Sequence, residues 1–64
     1  MPPTELAMSL GKKIRAIRTA KDMKITEMAR LSGLTTSMIS QMERGLISPS
    51  IETLHKIANV LDVP

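Results

Sequence analysis

Only three residues, Gly33, Leu34 and Thr35, separate two segments that each carry an apolar stripe of helical spacing. Ile25, Met28 and Ala29 form the stripe before the junction; Met38, Ile39 and Met42 form the one after it. Gly33 is suited to the left-handed backbone that ends a helix, and Thr35 is a good N-cap for the next. So short a connection forces the two helices to cross steeply. The side chains at the crossing suit it. Ala29 is small where the helices approach, Leu34 closes the corner, and Ile39 and Met42 anchor the second helix from beneath.

The rest of the chain reads as helix too. Residues 1–8 contain two prolines and little periodicity, and are expected to form a flexible N-terminal arm. A first helix fits Ser9 to about Lys21, with Ser9 as N-cap and Leu10, Ile14 and Ile17 inward. The second fits Ile25 to Ser32, and the third Thr36 to about Arg44, ended by Gly45. A fourth is capped by Ser48 or Ser50, with Pro49 suited to its first turn. Its apolar stripe is Ile51, Leu54, Ile57, Ala58 and Leu61. No strand-like alternation appears. The expected architecture is all-α, with four short helices.

The 64 residues suffice for one small domain. A domain of that size buries only roughly 60% of its unfolded surface. There is no Cys, and His55 has no second His or Cys to share a metal. No Gly-rich phosphate loop occurs. Catalysis, a metal and a cofactor are therefore not expected. No apolar run is long enough to span a membrane, and the first residues lack the pattern of a signal peptide, so a cytoplasmic protein is expected.

Charge is more informative by position than in total. Seven of the nine basic residues, Lys12, Lys13, Arg15, Arg18, Lys21, Lys24 and Arg30, fall close together and are offset locally only by Asp22 and Glu27. Such a patch suits a polyanion, although a solvated helix face gives the same pattern. There is no Phe, Tyr or Trp. Stacking of single-stranded bases on aromatic rings is thus excluded, and double-stranded DNA is the favoured nucleic acid.

The segments ITEMARLSGLTTSMISQMERG and SPSIETLHKIANVLDVP resemble the lambda-repressor-like helix-turn-helix domains of the Cro, cI and Xre group. The resemblance covers about residues 10–64. "SQMERG…SPSIETLHKIA" is most similar to Xre regulators in which this domain precedes a cupin-type sensor domain. It implies a DNA-binding domain over residues 9–64, with the helix-turn-helix unit at about 25–44. It also implies a transcriptional regulator that binds DNA as a homodimer, with half-sites about one helical turn apart.

In that family the third helix enters the major groove. The implied base-reading positions are Thr36, Ser37, Ser40, Gln41 and Arg44. Gln can bond adenine bidentately, Arg guanine, and Ser and Thr are permissive. The implied phosphate contacts are the helix start beside Lys24 and Ile25, and Thr35. The family often has Thr or Ser in place of Lys24, and basic residues where this chain has Leu46-Ile47-Ser48. That uncharged loop is expected to pack on the core or to meet a partner. Some members pair an Arg of the first helix with a Glu ending the third; Arg18 and Glu43 occupy those places, and a structural ion pair is expected. Met28 and Met42 are expected as core fillers, and Met38 as half exposed.

Family domains usually continue into a fifth helix. This chain is therefore expected to be a piece cut before a sensor domain. The alternative function is a protein-interaction module, such as an antitoxin-type helix-turn-helix domain, using Leu46, Ile47 and the apolar last helix. A membrane-surface peptide built on residues 9–21 is a third, weaker reading.

Overall fold

The computed structural model describes residues 4–63. Four helices follow in order: α1 (Glu5–Ala20), α2 (Ile25–Ser32), α3 (Thr36–Glu43) and α4 (Ile51–Leu61). No strand occurs among the described residues, so the all-α expectation holds.

The start of α1 corrects the sequence reading. Thr4, not Ser9, is the N-cap, and its hydroxyl oxygen accepts the Ala7 N–H at 3.0 Å. Glu5 in the first turn adds a favourable charge at the positive end of the helix dipole. Residues 5–8 are therefore helix rather than arm, and residues 1–3 of the expected arm lie outside the described residues. At the other end α3 stops at Glu43, with Arg44 as its C-cap. Ser50, not Ser48, caps α4 by accepting the Thr53 N–H at 3.1 Å, so Pro49 precedes the cap rather than entering the first turn.

All four helices end in the same way. A residue with positive φ follows each one: Asp22, Gly33, Gly45 and Asp62. The next residue then donates its N–H to a carbonyl five positions back, namely Met23 to Arg18, Leu34 to Ala29, Leu46 to Gln41 and Val63 to Ala58. These bonds satisfy carbonyls that a helix end leaves open, and turn the chain sharply. Gly takes the left-handed conformation without strain, and Asp is among the few other residues that tolerate it.

The turns fold the helices around Met28, Ile39, Met42, Ile57 and Leu61, all fully buried, joined by Ile14 and Ala29. Leu10, Ile17, Leu34 and Ile47 pack against this cluster from its rim. Met28 and Met42 are core residues, and Met38 is 37% exposed, as their spacing suggests. Ile51 is the exception. It was expected in the apolar stripe of α4 but is 88% exposed. At 3.6 residues per turn it stands about 120° around the helix from Ile57, beyond the buried face.

Candidate nucleic-acid interface

At the same helical period, Thr36, Ser37, Ser40, Gln41 and Arg44 span an arc of about 140° on α3. Thr36, Ser37 and Arg44 are exposed, and Ser40 and Gln41 are partly covered. Ile39 and Met42 occupy the opposite side and are buried, and Glu43, at the edge of the arc beside Thr36, is buried as well. The two faces do not mix. The outward arc carries hydroxyls, one carboxamide and one guanidinium, and no acid. The Gln41 carboxamide nitrogen donates to the Ser37 hydroxyl at 3.3 Å, and Arg44 Nε donates to the Ser40 carbonyl at 3.4 Å. Both long side chains therefore lie along the helix surface.

The groups expected to meet phosphate are Thr35, at the start of α3, and Lys24 with Ile25, at the start of α2. Thr35 caps α3 by accepting the Met38 N–H at 3.0 Å. As an acceptor there, its hydroxyl keeps its own proton free to donate. Lys24 is the N-cap of α2 without a side-chain capping bond, and it is exposed. The first amide groups of α2, from Ile25 on, have no intrahelical acceptor by construction. Ile25 itself is partly buried and packs on the core, so only its backbone is offered.

Glu43 would be an awkward charge beside DNA, but it turns away. Arg18 Nε donates to Glu43 Oε2 at 2.6 Å and Arg18 Nη2 donates to Glu43 Oε1 at 2.9 Å. The side chains are only 10% and 5% exposed. The hydrogen bond to Glu43 raises the Arg18 pKa above its ordinary value, against a lowering by burial, and the Glu43 charge adds to the rise. Arg18 thus stays charged under any ordinary condition.

The third arm of the guanidinium was not foreseen. Arg18 Nη1 donates to the Met23 carbonyl at 2.7 Å, while the Met23 N–H donates to the Arg18 carbonyl at 3.1 Å. Arg18 therefore holds Met23, the residue just before Lys24, through both its N–H and its carbonyl. One side chain links the start of α2 to the end of α3. Sequence carries no signal for a backbone acceptor of this kind.

Gly11 was also missed. It is buried in α1, against the last carbonyls of α3: a Cβ there would lie 2.8 Å from the Glu43 carbonyl oxygen and closer still to that of Met42. A signal existed, since glycine inside a helix costs about 1 kcal/mol relative to alanine and often marks a close approach. Beside it, Gly45 lies against Met8.

Two packed helices, α2 and α3, joined by the short turn at Gly33 with a polar face of the second turned outward, have the arrangement of a helix-turn-helix domain. A helix-turn-helix (HTH_3) family model matches residues 14–64. The chain is 42% identical over 54 residues to y4dL of Sinorhizobium fredii, an uncharacterised helix-turn-helix-type transcriptional regulator, covering 84% of this chain and 28% of y4dL. It is 38% identical over 55 residues to the transcriptional regulator SinR of Bacillus subtilis, covering 84% of this chain and 50% of SinR. The restriction-modification controller protein C.AhdI of Aeromonas hydrophila has the same fold at a TM-score of 0.92 and 33% identity, covering 95% of this chain and 92% of that one. A structure of SinR in complex with DNA matches at a TM-score of 0.82 and 38% identity, covering 86% of this chain and 89% of that one. This chain belongs to the helix-turn-helix family of Cro/cI-type regulators. The chain spans half or less of the length of y4dL and SinR.

Proposed function

We propose that this chain is the DNA-binding domain of a transcriptional regulator and reads double-stranded DNA with α3 in the major groove. The observation that carries the reading is the outward arc of α3, free of acid because Glu43 is held inward by Arg18. Thr36, Ser37, Ser40, Gln41 and Arg44 contact bases. Gln41 takes an adenine or Arg44 a guanine by two hydrogen bonds each. Thr35, Lys24 and the amide groups at Ile25 hold phosphates on either side. The relative SinR, solved in complex with DNA, supports DNA binding by a chain of this fold.

The domain acts as a symmetric pair on half-sites about one helical turn apart. A shallow apolar groove between α1 and α4, lined by Leu10, Ile17, Leu54 and Val63, offers surface to a second protomer. The cytoplasm, where the DNA is, is its place. The resemblance of SQMERG and SPSIETLHKIA to Xre regulators is what supports a C-terminal sensor domain of the cupin kind in the whole regulator.

Selection of bound duplexes from a random pool, followed by titration, tests the reading. One enriched sequence is expected. Its affinity should fall with salt at a log–log slope of about −0.9 per phosphate neutralised. No enrichment would refute it. The exposed Leu46 and Ile51 favour a protein-interaction module as the second reading. Under it the chain would show no salt-steep duplex binding and would bind an apolar protein surface instead.

A further inference from the structure

Gly11, on the seam between α1 and α3, does different work from the glycine of the turn. Gly33 has nothing within 4 Å of where a Cβ would stand, so only its positive φ calls for glycine. Gly11 lies inside a regular helix, where alanine would be the better residue. Its need is steric. Its missing Cβ would collide with the carbonyl oxygens of Met42 and Glu43, which are backbone atoms and cannot rotate away. One turn nearer the start of α1, Met8 fills the same role from the other side: a Cβ on Gly45 would stand 2.7 Å from Met8 Cα and 2.8 Å from Met8 Cγ. At Gly11 the last turn of α3 therefore rests directly on the backbone of α1, with no side chain between them to yield, while beside it the Met8 side chain packs on Gly45.

We propose that Gly11 is a positioning residue for sequence reading: it seats the C-terminal turn of α3 on α1 and so sets how far Gln41 and Arg44 project toward base edges. This rests on the reading of α3 as the helix that meets DNA. The N-terminal turn of α3 is placed separately, by the Gly33 turn and the Thr35 cap. A methyl group at position 11 drives the C-terminal turn away by roughly 1 Å to restore ordinary contact distance. Thr36 and Ser37 stay nearly in place, while Gln41 and Arg44 shift. A bidentate contact to a base is lost over such a displacement, because both of its hydrogen bonds need their own alignment.

The test uses a selected duplex and its full set of single base-pair variants. Gln41→Ala and Thr36→Ala first mark the base pairs that each end of α3 reads. Gly11→Ala is then titrated against the same set. Its penalties at the Gln41-marked positions should fall at least about fivefold, the loss of one base contact, while those at the Thr36-marked positions remain. Ile57→Val, which weakens the core from α4 and not from the α1–α3 seam, should leave both sets unchanged. Met8→Ala loosens the same seam at a 42% exposed residue and serves if Gly11→Ala does not fold. It should give the same lopsided pattern at smaller amplitude. A uniform change across all positions, or none, in the folded variant overturns the proposal while leaving the DNA reading intact. A wild-type chain indifferent to every base-pair change overturns both.

Discussion

Replacing Glu43 by Leu removes two of the three hydrogen bonds of the Arg18 guanidinium and leaves its charge in a site almost closed to water. Breaking one side of a buried pair costs about 3–5 kcal/mol, because the surviving charge has no partner. Arg18→Met strands the Glu43 carboxylate instead, and frees the Met23 carbonyl as well. The double variant, Arg18→Met with Glu43→Leu, leaves no stranded charge. Only the Met23 carbonyl then lacks its donor, at about 1–3 kcal/mol. The coupling between the two sites should therefore reach about 2 kcal/mol or more. For a domain of this size each kcal/mol moves the midpoint by about 4–8 °C, so Glu43→Leu alone should lower it by at least about 12 °C. Melting followed by circular dichroism, with sulfate added to keep the single variants folded, gives the four midpoints needed. Additivity within about 0.5 kcal/mol would refute the reasoning, as would single-variant costs below about 1 kcal/mol, the value of an exposed pair. The sign of any pH effect through Arg18 follows from its raised pKa. Its contribution is fully present below the ordinary arginine range and is lost only above it, so raising the pH to about 9 should leave this contribution unchanged.

Gly33→Ala should destabilise by about 1–2 kcal/mol through backbone strain alone, and Gly33→Asn by less, since its surroundings are open; thermal melting of both checks this. Ile51→Lys should change stability by no more than about 0.5 kcal/mol, whereas Ile57→Ala should cost about 2–5 kcal/mol in urea titrations. Thr35→Ala should cost about 1 kcal/mol through the lost cap and also weaken binding to every duplex alike, while Thr35→Ser should retain both.

The helix-turn-helix core was legible because its signals are local. Gly33, the Thr35 cap and the apolar spacing of Ile25, Met28 and Ala29 each act within a few residues, and α2 runs from Ile25 to Ser32 as they indicate. The start of α1 was not legible from apolar periodicity. Leu6 is 77% exposed, and the segment is held by the Thr4 cap and by two small buried residues, Ala7 and Gly11. Asp22 and Asp62 end helices as glycine would, a role for which a single Asp carries little signal. In α4, Ile51 has suitable spacing from Leu54 but lies too far around from Ile57 and Leu61. The Arg18–Glu43 pair came from the resemblance and is present, but its tie to Met23 could be found only in three dimensions.

The decisive measurement concerns Gln41. Wild type and Gln41→Ala are titrated against the selected duplex and against each single base-pair variant of it. If α3 reads bases through this side chain, the alanine variant loses about 1–3 kcal/mol of discrimination at one base pair and keeps the wild-type salt slope. If Gln41→Ala weakens every duplex by the same factor, or weakens none, α3 does not read sequence in the way described.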